Sequence, residues 1–226
     1  MRSNWLELVH DIPRHVEARS ALLGGRAEIF GESASGLVVL DPAAGLVSVI
    51  GDVHRIAVEE AAKRLEGSGE VIGDPSLELD LPGREKELAT LYQLDGSPRI
   101  EPFGTRLVKF NEILEYSLPE YLLLELSRVH KYAPIAARFL DGAPVSFCYA
   151  VETESQWDVA IDTLEEYRSH GYASECVAWM IGHEARLGRR PVWGAMDSNA
   201  ASRRVAEKLG FVPVDRIAVW EPTSSH

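Results

Sequence analysis

Asp141 and Gly142 stand between two apolar runs in "PIAARFLDGAPVSFCYAVE", residues 134–152. An Asp-Gly pair so flanked closes a two-residue hairpin, because both central residues of that turn take positive φ. The turn sets the register of two antiparallel strands, and the later elements of the chain's second half have to be laid against them. "WDVAIDT", 157–163, alternates as a third strand. A helix from about Tyr172 to Leu187 follows, with Ala173, Val177, Met180, Ile181 and Ala185 on one side and Gly188 closing it. "RPVWGAM", 190–196, is a strand; "SNAASRRVAEKLG", 198–210, is a capped helix ending on Gly210; "DRIAVWE", 215–221, is a last strand. Ahead of the hairpin, "PEYLLLELSRVHKY", 119–132, opens on proline and keeps helical periodicity. Helix, strand, strand, strand, helix, strand, helix, strand is the order of a mixed α/β layer.

The first half is less regular. Residues 27–40 and 45–51 read as short strands separated by turn residues that include Asp41-Pro42. "HRIAVEEAAKRLEG", 54–67, reads as an amphipathic helix closed by Gly67, and "GREKELATLYQL", 83–94, as another short helix. The stretch 95–104, "DGSPRIEPFG", carries the clearest boundary signal. It separates an N-terminal α/β domain, 1–100, from a C-terminal domain, 101–226; a long surface loop within one unit is the other reading.

Charge narrows the partners. A net charge of −12 argues against a nucleic-acid binder, which needs clustered Lys and Arg for phosphate contacts, and mildly favours an amine-bearing partner. The opening "MRSNWLELVHDIPRHVEARS" has no uninterrupted apolar core of a secretory signal, and no run approaches the ~18 apolar residues needed to cross a bilayer. Cys148 and Cys176 match no zinc or redox spacing and are expected to be buried free thiols rather than a disulfide. The expectation is a cytoplasmic protein without membrane or nucleic-acid partners, metal-free, a monomer or homodimer.

"EYRSHGYAS", 166–174, joins the third strand to the long helix. A glycine-containing turn leading into a helix directs unpaired N–H groups outward, and with the helix dipole they make an anion site. Gly171 allows positive φ, Ala173 keeps the first turn slim, and Arg168 adds a forked cationic donor at the rim. The spacing is neither that of a Walker loop nor that of the three-glycine dinucleotide turn, and a plain strand-to-helix connection is the reading that local physics alone favours.

Arg168-Ser169-His170-Gly171-Tyr172-Ala173 resembles the Arg/Gln-x-x-Gly-x-Gly/Ala signature of the GCN5-related N-acetyltransferases (GNAT). Some 30 residues on, "DSNAASRRVAEKLGF" resembles the family's second acetyl-CoA motif, and within the family the stretch "PVWGAMDSNAASRRVAEKLGF" is most similar to bacterial zwittermicin-resistance-type acetyltransferases. The resemblance covers 119–220 well and the first hundred residues poorly. It implies an α/β fold whose mixed, mostly antiparallel sheet splays at an acetyl-CoA cleft. The amides at 169–174, including those of Tyr172 and Ser174, would hold the coenzyme's pyrophosphate, with Arg168 and His170 at the rim. Ile161 and Thr163 would offer backbone groups to the pantetheine arm, and an amide near Ile161 would stabilise the oxyanion. The implied activity is acetyl transfer from acetyl-CoA to a primary amine of a small molecule, by direct attack in a ternary complex. The first hundred residues would form either a degenerate copy of the fold or a separate domain that builds the acceptor pocket.

Two departures bear on the chemistry. The tyrosine that many members carry four residues before the helix-closing glycine is Ala206 here, and one common position for the base, eleven residues before Arg168, is Trp157. Asn199 and Ser202 share the helix face of Ala206 and are the catalytic candidates, able to hydrogen-bond the thioester sulfur, with Asn199 also able to contact the coenzyme. N-capping by Asn199 and plain exposure of Ser202 are the competing readings. Glu152, Glu154, Asp158 and Asp162 are nearby carboxylates, and alternation puts Asp158 and Asp162 on one face of their strand. Arg189, Arg190, Arg203 and Arg204 read as solvated charges. The rival functions are a catalytically inactive acyl-CoA-binding domain that regulates or scaffolds, and an interaction domain without coenzyme.

Overall fold

The computed structural model describes residues 5–65, 69–94 and 96–223. Helices α1 (Trp5–Leu8) and α2 (Val16–Leu23) precede strands β1 (Glu28–Glu32), β2 (Gly36–Asp41) and β3 (Leu46–Gly51). Helix α3 (Arg55–Lys63), β4 (Glu70–Gly73), β5 (Arg84–Leu94) and β6 (Thr105–Val108) come next. Then follow α4 (Phe110–Ile113), α5 (Glu120–Val129), β7 (Ile135–Leu140), β8 (Ala143–Glu152) and β9 (Gln156–Thr163). Helix α6 (Tyr172–Ala185), β10 (Arg190–Met196), α7 (Ala200–Leu209) and β11 (Phe211–Pro222) complete the chain. Its contacts divide it into two units: residues 1–91, 195–199 and 214–226, and residues 92–194 and 200–213.

In the second unit the strands run β10-β9-β8-β7-β6. Asp141 and Gly142 both take positive φ, 49° and 85°, as the Asp-Gly turn requires. β8 pairs antiparallel with β7 and β9, while β9 pairs parallel with β10. On one face Phe147 and Tyr149 pack with Leu122 and Leu126 of α5 and Ile113 of α4. On the other, the Cys176 thiol of α6 lies 3.6 Å from the Ala136 carbonyl and 3.7 Å from that of Ser146. Cys148 and Cys176 are free and buried.

In the first unit the order is β1-β2-β3-β4-β11, again antiparallel except for β3 with β4. Period-two alternation sends Val38, Leu40, Val47 and Val49 toward Ala57, Val58 and Ala61 of α3. The intervening Leu37, Val39 and Ile50 pack with Ala18 and Ala21 of α2. The span 27–40 forms two strands rather than one, split by the turn at 33–35. Gly67, expected to close the 54–67 helix, lies outside the described residues.

Residues 84–94 are a strand, not the helix that their composition suggests. Glu, Lys, Leu and Ala are good helix formers, but here Ala89 and Leu91 are buried with Thr90 half-exposed between them. Burial in a sheet overrides a preference of a few tenths of a kcal/mol per residue, about the span of the helix scale among these types. No described helix is long and apolar enough to cross a membrane.

Candidate active site

The site is built where β9 loses its parallel neighbour. Pairing with β10 joins Gln156, Trp157 and Asp158 to Arg190, Pro191 and Val192 and goes no further, whereas pairing with β8 continues to Thr163. From Val159 to Thr163 the β10 side of β9 is therefore an open edge, and unpaired strand edges accept another extended chain. Ile161 and Thr163 both lie on it. Thr163 is fixed in place: its Oγ1 is 2.8 Å from Ser146 Oγ, and its carbonyl accepts from Arg168 Nε at 3.2 Å.

The chain then passes through a 3₁₀ turn, Glu165–Tyr167, into the segment before α6. Arg168 is extended, Ser169 takes φ of 65° and Gly171 takes φ of 91°. Such alternation of left-handed and extended residues folds successive N–H groups around a concavity. The Arg168 amide is used, donating to the Glu165 carbonyl. Those of Ser169, His170 and Gly171 donate to no main-chain carbonyl among the described residues. Gly171 gives α6 no side-chain cap, and the first bond into the helix is from Glu175 N–H to Gly171 O, so the amides of Tyr172, Ala173 and Ser174 are also left over. The Ser174 side chain is buried at 3% exposure, which leaves only its amide for a ligand.

Side chains brace this turn. His170 Nδ1 is 2.7 Å from the Arg168 carbonyl, and its ring stacks on Tyr172 at 5.7 Å between centroids. The Arg138 guanidinium lies 5.0 Å from the Tyr172 ring and pairs with Glu175 at 2.6 Å, which neutralises the one carboxylate in the first turn of α6. Lys208, near the end of α7, adds a cation: a Cβ built on Gly171 would stand 3.9 Å from its Nζ. Six leftover amides, a helix N-terminus, Arg168 and Lys208 suit a dianionic pyrophosphate such as that of acetyl-CoA.

On α7, Ser202 Oγ accepts from Trp193 Nε1 of β10 at 2.9 Å. Ala206, one turn on, is fully buried. Asn199 belongs to the first unit, in the turn before α7, where its amide donates to Met196 O at 3.0 Å. The turn residues 161–174 and Ser202 thus fall in one unit and Asn199 in the other.

The face of β9 left open by the sequence is now assigned. Asp162 points to the α5 side, within reach of the Tyr149 hydroxyl and of Glu125. Tyr149 is buried and its hydroxyl donates to Glu125 Oε1. Burial first, then Glu125, push the Asp162 carboxyl up to about 6, against the opposing pull of Arg168 and Tyr149. Burial likewise raises the Tyr149 phenol, with Glu125 adding to it. Glu125 and Tyr149 had no motif to announce them, since they come from α5 and β8 and only the fold brings them near Asp162; Lys208 lies in the motif "DSNAASRRVAEKLGF", but its approach to Gly171 shows only in the fold. Arg189 is no solvated charge either. It pairs with Glu184 and Glu152 at 3.0 Å each and donates to Thr153 O at 2.9 Å, and Glu184 is fully buried.

Residues 141–219 match the family described as GNAT acetyltransferase. Among curated proteins none matches the chain. Of solved structures, the GCN5-related N-acetyltransferase-like protein from Streptococcus suis superposes with a TM-score of 0.71 at 18% identity, covering 97% of both chains. The GCN5-related N-acetyltransferase from Kribbella flavida gives 0.59 at 14% identity, covering 93% of this chain and 96% of that one. A tandem GNAT protein from the clavulanic acid biosynthesis pathway gives 0.52 at 17% identity, covering 98% and 95%.

Proposed function

Because residues 141–219 match the GNAT acetyltransferase family, we propose that the chain transfers the acetyl group of acetyl-CoA to a primary amine of a small molecule. The carrying observation is the continuity of one surface: the open edge Val159–Thr163 runs directly into the turn whose amides are unclaimed. The amides of 169–174, with Arg168 and Lys208, would hold the pyrophosphate. The edge at Ile161 and Thr163 would hold the pantetheine arm, the Thr163 carbonyl sharing its second lone pair with the ligand. A main-chain amide near Ile161 would stabilise negative charge on the thioester oxygen, and Ser202 would face the sulfur. Direct attack in a ternary complex needs no residue as nucleophile, and placing both reactants supplies much of the acceleration.

Gly171→Glu tests the anchor. The carboxylate would sit in the anion turn and the residue would carry a left-handed backbone, so isothermal titration should detect no acetyl-CoA binding while the circular dichroism spectrum stays that of the parent. Retained affinity rejects this reading.

A second reading, a domain that binds acyl-CoA without turnover, is favoured by one observation: Ala206 is fully buried where many relatives of this fold place a tyrosine. Thiol release over a broad amine panel separates the two. Acetyl-CoA binding with no amine above the hydrolysis rate favours the inactive domain.

We further propose that residues 1–91 are a second copy of the same fold. Two helices, three antiparallel strands, a helix and a strand parallel to the third occur in the same order in both units. Even the parallel pairing spans three residues in each, 46–48 with 70–72 and 156–158 with 190–192. The likeness to a protein described as a tandem GNAT supports this. The copy lacks the anion turn: eight residues, 164–171, lead from β9 to α6, but only three, 52–54, lead from β3 to α3.

A further inference from the structure

We infer that Glu125, Tyr149 and Asp162 form the docking site for the acceptor's ammonium group, with Asp162 as its proton acceptor. This rests on the acetyl-transfer reading and names the acceptor as a cationic amine. Three elements, α5, β8 and β9, bring these side chains together. The hydrogen bond from Tyr149 fixes Glu125, whose carboxylate forms no ion pair among the described residues. The charged groups that act on Asp162 are Glu125 from α5 and Arg168 from the turn after β9, with Tyr149 from β8 as a hydrogen-bond donor. Two carboxylates in a half-buried setting, with one guanidinium between them and the anion turn, repel each other; a cation placed between them relieves that repulsion.

Position supports the same assignment. Asp162 lies on the open stretch of β9, between Ile161 and Thr163, which the coenzyme reading gives to the pantetheine arm. An amine held by Asp162 and Glu125 thus arrives beside the strand that carries the thioester. Asp162 takes one proton from the ammonium, freeing the nitrogen lone pair. That pair forms the C–N bond to the carbonyl carbon, and the C–S bond electrons leave with the sulfur. The second nitrogen proton ends on the thiolate, Asp162 returns its proton to solvent, and one proton is released per amide made. Asp162 must be ionised to begin, so turnover should rise with pH through about 6.

The test uses the full chain with Glu125→Gln and Asp162→Asn. Acetyl-CoA affinity should stay within about twofold of the parent in both variants. A parent that fails to bind acetyl-CoA overturns the coenzyme reading, not this one alone. With the fastest amine of the panel, Asp162→Asn should lower kcat ~100-fold and flatten the limb near pH 6, a typical loss for a general base. Glu125→Gln should raise KM about tenfold with kcat little changed, as loss of one charged contact predicts. Carboxyl carbon NMR follows Asp162 without turnover. Adding 1,4-diaminobutane should lower its titration midpoint in the parent and much less in Glu125→Gln. A midpoint that the diamine leaves in place, or variants that turn over like the parent, overturns the assignment.

Discussion

Gly171 shows what one residue decides in this chain. Its φ of 91° turns the backbone so that the amides before and after it converge, and an alanine there would carry a strain of about 1–3 kcal/mol. Lys208 supplies charge to the same spot, so Lys208→Gln should weaken acetyl-CoA about tenfold and flatten the dependence of Kd on salt, as titrations at two ionic strengths would show. Equal affinities would take Lys208 out of the site. Asp162 makes a prediction about stability. Its carboxyl is raised from an ordinary 3.8 to about 6, so the folded chain binds that proton more tightly than the unfolded one. Stability from this group is therefore fully present below about pH 4 and is lost as pH rises through about 6. Asp162→Asn, which cannot ionise, should melt higher than the parent above roughly pH 6.5 and alongside it below roughly pH 4. Gly171, with its turn, was legible from the sequence because the glycine and the following helix are adjacent in the chain. Glu125 and Tyr149 were not, because what brings them near Asp162 is distance across the fold, and Lys208, though inside a motif, shows its approach to Gly171 only there.

At the scale of elements, α6 joins two kinds of stability. Its N-terminus is left uncapped at the open turn, and its C-terminus is tied down by charge. Arg189 holds the fully buried Glu184 together with Glu152. Removing one partner leaves a buried carboxylate uncompensated, so Arg189→Ala should cost roughly 3–5 kcal/mol in urea unfolding. A loss under 1 kcal/mol would mean that solvent reaches Glu184. The Asp-Gly hairpin, α5, α6, β10 and α7 could be read in advance, since each carries its own period and punctuation. β6 and α4 could not, at four residues each, and β5 was misread because its helix-forming residues say nothing of the neighbours that turn it into a strand.

Across the whole molecule, the two units share an element order but not an anion turn, so each chain should bind one acetyl-CoA. Calorimetric stoichiometry near one is expected, and a value near two would return coenzyme binding to the first unit. The second unit's architecture was legible because its motifs sit at strand ends; the first has no motif, and its likeness lies only in pairings that sequence does not display. The two thiols have a practical consequence. Cys148 and Cys176 are fully buried, and burial pushes the Cys148 thiol up and that of Cys176 up to about 12. A folded sample should therefore be invisible to a thiol-reactive dye. Colour that develops with added amine then counts released coenzyme, and colour without substrate counts molecules that have come undone.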